Sequence, residues 1–109
     1  MKGDRLSESE LRRLIDGCTQ KKEYLLGSHF KNRSQERKIP LPVVLDVVKN
    51  GTFEDHLSRY NEAFDCWSYS FSMNHNVIEK TIRVVVSFHE NYLFFVTSMI
   101  VEKNGKEKN

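Results

Sequence analysis

Trp67-Ser68-Tyr69-Ser70-Phe71-Ser72-Met73 places a large apolar side chain at every second position, with a serine between each pair. Successive side chains of a β-strand point to opposite faces, so this stretch reads as a half-buried strand. The same period continues downstream. Ile82, Val84, Val86 and Phe88 alternate with Thr81, Arg83, Val85 and Ser87. Residues 92–101 are apolar on both faces, which suits a central strand. Asn74-His75-Asn76 and His89-Glu90-Asn91 carry turn chemistry. Upstream, Phe53, Leu57 and Tyr60 mark a weaker first strand. Four strands in sequence with short connections predict an antiparallel meander.

Working back toward the N-terminus, the period lengthens from two to that of a helix. Ser7-Glu8-Ser9-Glu10 matches a capping box, and Leu11, Leu14, Ile15 and Cys18 follow at helical spacing. This predicts a helix over about 8–22, weakened near its end by Gly17. Gly27-Ser28 breaks the chain, and Ser28 is placed to cap a second helix over about 29–37. Ile39-Pro40 forces a turn. A third helix starts at Leu41-Pro42, buries Val43, Val44, Leu45, Val47 and Val48, and ends at Asn50-Gly51 with a left-handed glycine cap. The fold class expected is α+β, with the N-terminal helices packed on one face of a four-stranded antiparallel sheet.

The 109 residues fit one domain, and the expected division is an added helix at 8–22, a core at 27–101 and a flexible tail at 102–109. Seven Phe, four Tyr and one Trp require a packed core, which excludes a disordered chain. The longest strongly apolar run, 92–96, is far short of the roughly 20 residues of a membrane-spanning helix. Met1-Lys2-Gly3-Asp4-Arg5 leads into charge rather than an apolar leader. Cys18 and Cys66 stand alone, as in a reducing cytoplasm, and small buried hydrophobes are their ordinary role. His56, His75 and His89 have no ligand spacing, so no metal is expected, and no glycine-rich loop suggests a cofactor.

The second helix stands apart. Over 28–38 its only apolar residue is Phe30, and the four cations Lys31, Arg33, Arg37 and Lys38 face the single anion Glu36. That leaves +3 on eleven residues, against +2 for the whole chain. His29, Arg33 and Arg37 recur every four residues, which stacks them on one helix face. Two guanidinium forks and an imidazole on one ridge suit a phosphate group. They also supply what metal-free phosphodiester cleavage needs: a proton acceptor or donor and cations around the charged transition state. A solvated basic face laced by Glu36 salt bridges has the same composition. Arg59, Tyr60 and Arg83 are candidates for an open sheet face where a base stacks or a phosphate is held. Thr97 and Ser98 are hydroxyls in an apolar strand, for which satisfying a backbone group or facing solvent is the ordinary role.

His29-Phe-Lys-Asn-Arg33-Ser-Gln-Glu36-Arg37-Lys-Ile39, followed by Val43-Val44, Val47-Val48 and Asn50-Gly51, resembles a family of small bacterial domains of uncharacterised function. Their pattern is H-x-x-x-R-x-x-E-R-G-I, and Phe95-Val96-Thr97 resembles their closing strand. These domains are similar to the toxin ribonucleases of the barnase–EndoU–colicin–RelE fold group. The resemblance covers about 27–101. It implies a metal-independent endoribonuclease acting on RNA and held in check by an inhibitory, antitoxin-like protein. By that resemblance His29 is the general acid or base, Arg33 and Arg37 stabilise the phosphorane, and Thr97 positions a phosphate oxygen or the 2′-hydroxyl. Glu36 orients an arginine, and Lys31 joins the substrate contacts. Lys38 stands where that family prefers glycine, which predicts an altered turn.

Overall fold

A computed structural model describes residues 5–89 and 92–101. Part of the expected turn at 89–91 and the expected tail at 102–109 lie outside the described residues. The helices are α1 (Glu8–Gln20), α2 (Ser28–Glu36) and α3 (Leu41–Asn50). The strands are β1 (Tyr24–Leu26), β2 (Thr52–Phe53), β3 (Arg59–Asn61), β4 (Cys66–His75), β5 (Lys80–His89) and β6 (Tyr92–Val101).

The capping box forms as expected, with Ser7 and Glu10 bonding each other's backbone N–H groups. Both α1 and α2 end in the same way. Glu23 N–H donates to Cys18 O at 2.8 Å, and Ile39 N–H donates to Ser34 O at 2.9 Å. The residues inside these closures, Lys22 and Lys38, have φ of 57° and 56°, the left-handed conformation that glycine usually supplies. Lys38 therefore keeps the turn a glycine would make, contrary to the expected change of geometry.

Two caps differ from expectation. Gly27, not Ser28, precedes the first turn of α2, and no side chain caps it. Gly51 is extended, with φ −76° and ψ 177°, rather than left-handed. Its small size serves close approach instead. A Cβ there would overlap the Val47 carbonyl oxygen and lie 2.7 Å from the Ser72 carbonyl oxygen.

The sheet has six strands and is mixed, not a four-stranded antiparallel meander. Its order is β1-β6-β5-β4-β2, with β3 also on β4. β1 runs parallel to β6, pairing Tyr24–Leu26 with Leu93–Phe95. Three residues are too few to show a period, which is why this edge strand was not legible. The weak strand expected around Phe53–Tyr60 is split. β2 pairs with Ser72 and Phe71, β3 pairs with Ser68 through Cys66, and a single 3₁₀ turn at Asp55–Leu57 separates them.

All three helices contribute to one core. Leu11, Ile15, Phe30, Val44, Val47 and Val48 pack against Tyr69, Phe71, Ile82, Val84, Val86 and Phe95. These strand residues share one face, as their period predicts. In β6 the alternation slips. Val85 pairs with Thr97 but Val86 pairs with Phe95, so Val96 is an extra, unpaired residue. The bulge moves Ser98 onto the helix face, fully buried, and leaves Thr97 on the opposite face.

Candidate functional site

Helix α2 lies along β6, and two contacts set its rotation. The Phe30 ring packs on the Phe95 ring at a centroid distance of 5.5 Å. One turn later, Ser34 Oγ and Ser98 Oγ are hydrogen-bonded at 2.6 Å. With Phe30 and Ser34 turned to the sheet, the positions of the other side chains follow from about 100° per residue.

A four-residue step overshoots a full turn by about 40°, so His29, Arg33 and Arg37 fan out rather than form a straight row. Arg37 sits nearest the sheet, and its guanidinium donates to the Ser98 carbonyl oxygen. It is half-buried and closes the free side of β6 beyond the segment covered by β1. Arg33 points sideways and is exposed, with a loose 3.9 Å approach to Glu36. An ion pair this long and exposed contributes little. His29 lies furthest round the helix and is exposed, as is Lys31. Of the three ridge residues, His29 and Arg33 offer their side chains to solvent while Arg37 is committed to the fold.

The remaining candidates lie elsewhere. Thr97 is half-buried on the face away from the helices, across β6 from Ser34. Arg59 and Tyr60 belong to β3, three strand spacings, roughly 14 Å, from β6. The Arg59 guanidinium donates to His56 O at 3.1 Å and Ser58 O at 2.8 Å. The Tyr60 hydroxyl donates to the Asp65 carboxylate, which pushes its pKa up, and the Tyr60 ring leans on Trp67 at 5.7 Å. Arg83 is buried in a two-pronged pair with Glu54, Nε to Oε1 at 2.7 Å and Nη2 to Oε2 at 2.9 Å. The structure does not bring Arg59, Tyr60 and Arg83 to the α2 ridge.

Two arrangements had no sequence signal because they join residues far apart in the chain. His75 Nε2 and Asp46 Oδ2 are 2.7 Å apart, tying the end of β4 to α3. Val77 N–H donates to His75 Nδ1 at 3.2 Å, so both ring nitrogens are engaged. Hydrogen bonds from Asn50, then His75, hold the Asp46 carboxyl below the usual range. This pair is structural. The second arrangement is a row of rings, Phe64, His89 and Phe94, on the sheet face away from the helices. Phe64 meets His89 edge-on at 6.2 Å, and His89 meets Phe94 at 5.6 Å.

Burial pushes up the pKa of both thiols, which disfavours nucleophilic use. No cluster of metal ligands occurs among the described residues. No helix among them is long and apolar enough to cross a membrane. Compared with known proteins, the chain matches no family model, no curated protein and no solved structure.

Proposed function

We propose that this chain is an RNA-directed domain of ribonuclease-toxin type, with His29 and Arg33 as its working pair. The observation that supports it is their common exposure on successive turns of a helix anchored by its other side. Arg33 grips a phosphate through its planar fork. His29 takes the proton of the 2′-hydroxyl as that oxygen attacks the adjacent phosphorus, and the P–O5′ bond breaks as the same imidazolium returns the proton to the leaving 5′-oxygen, giving a 2′,3′-cyclic phosphate and a 5′-hydroxyl end. Lys31 adds positive potential. Arg37 positions the helix rather than the phosphorane. Thr97 reaches the same RNA only where the strand passes around the free side of β6. An acidic inhibitory protein lying over 29–37 would silence such a site by occupying the same charges.

The test is cleavage of RNA in the presence of a chelator, by wild type and by His29→Ala and Arg33→Ala. Each variant is expected to lose about 100-fold or more of the rate while retaining the native circular dichroism spectrum. Wild-type rates in both variants sink the assignment. A second reading, a non-catalytic RNA-backbone binder, is favoured by one fact: Arg37 is spent on the Ser98 carbonyl, leaving one guanidinium beside one imidazole. It predicts salt-sensitive binding with no cleavage product.

A further inference from the structure

Resting on the RNA reading of the α2 ridge, we propose that the aromatic row Phe64–His89–Phe94 is a stacking platform for unpaired bases of a single-stranded RNA. The row crosses one end of the sheet, on the face without helices, from the turn between β3 and β4 to β6. Phe64 is 68% exposed, and with His89 and Phe94 it forms a continuous aromatic strip rather than a single scattered ring. His89 is exposed between the two phenyl rings and touches both. The row also has a direction. The Phe94 ring lies 3.4 Å from where a Cβ on Gly27 would stand, so it rests on the residue that opens α2. Two residues further along the chain is His29. A strand whose phosphate lies on Arg33 and His29 reaches the row by passing around the edge formed by β1 and Gly27, where it meets Phe94, then His89, then Phe64.

Charge selects the same path. The exposed cations Lys31 and Arg33 are on α2, whereas Glu62 and Asp65 are exposed beside Phe64. Phosphates are favoured at the first end and repelled at the second, so a strand lying across the row turns its bases, not its phosphates, toward Phe64. Rings stack on every base, and such contacts tolerate any sequence. The platform thus assigns the substrate class: single-stranded, unstructured RNA, with little base preference.

The experiment uses the full chain and a short fluorescein-labelled single-stranded RNA, 2′-O-methylated so that cleavage cannot consume it. Binding is read by anisotropy across a salt series. Phe64→Ala and His89→Ala are each expected to weaken binding about tenfold without changing the salt slope, and Phe64→Trp to restore it. Arg33→Ala is expected to weaken binding and to reduce the slope by about 0.7. If Phe64→Ala and His89→Ala bind as wild type while Arg33→Ala does not, the platform is overturned and the ridge stands. If the wild type binds no RNA, both are overturned. Should sedimentation show that Phe64→Ala abolishes a dimer while RNA affinity is unchanged, the row is a self-association surface and the platform is again overturned.

Discussion

Lys38 shows how one residue reports on the chain's own economy. Its φ of 56° is held by the closure of α2, in which Ile39 N–H reaches back to Ser34 O. A lysine in this conformation costs on the order of 1 kcal/mol against its Cβ, a cost glycine lacks. Lys38→Gly is therefore expected to raise stability by roughly 0.5–1 kcal/mol in urea unfolding, with RNA binding reduced only by the lost charge. Arg83 and Glu54 give the opposite case. The two carboxylate bonds bury both side chains to within 10% and 14% of full burial. Arg83→Met strands a buried carboxylate, and a loss of about 3–5 kcal/mol is expected. The double variant Arg83→Met with Glu54→Leu should recover most of that, measured by the same unfolding curves.

At the scale of elements, the joints between helix and sheet matter most. Arg12 on α1 donates to the carbonyl oxygens of Lys49 at 3.3 Å and Gly51 at 2.7 Å, satisfying groups at the end of α3. The Asp46–His75 bond ties α3 to β4, and Asp46 is ionised more readily in the folded chain than in the unfolded one. A depressed folded pKa contributes stability above the unfolded value, and that contribution is lost as pH falls through the folded value. Thermal melts of wild type and Asp46→Asn are thus expected to differ at neutral pH and to converge in acid, below the usual aspartate range. Three helices, the cap at Ser7 and the strands of the second half were legible because each repeats its period several times. β1 and the split between β2 and β3 were not, because elements of two or three residues carry no period.

For the whole molecule, charge is distributed rather than concentrated. The net +2 hides a basic helix and an acidic turn at opposite ends of the aromatic row. With Lys31, Arg33 and Lys38 as the exposed cations of this segment, the slope of log affinity against log salt for single-stranded RNA is expected near −2. A slope near −5 would require basic contacts beyond this ridge. Half of the proposed site was legible: the recurrence of His29 and Arg33 every four residues is a property of the string of residues. That Arg37 belongs to the fold was not, because its partner Ser98 lies 61 residues away.

The order of residues alone determined the three helices and the long strands β4 to β6, which face of each is apolar, and that a basic helix precedes an aromatic sheet. These are consequences of spacing along the chain, where neighbours are a turn or a pleat apart. Only the tertiary structure decided that Val96 bulges, that Ser98 rather than Thr97 faces α2, and which ridge cation stays in solvent. Those outcomes depend on which carbonyl or hydroxyl a distant side chain meets, and hydrogen bonds across the fold have no period to betray them.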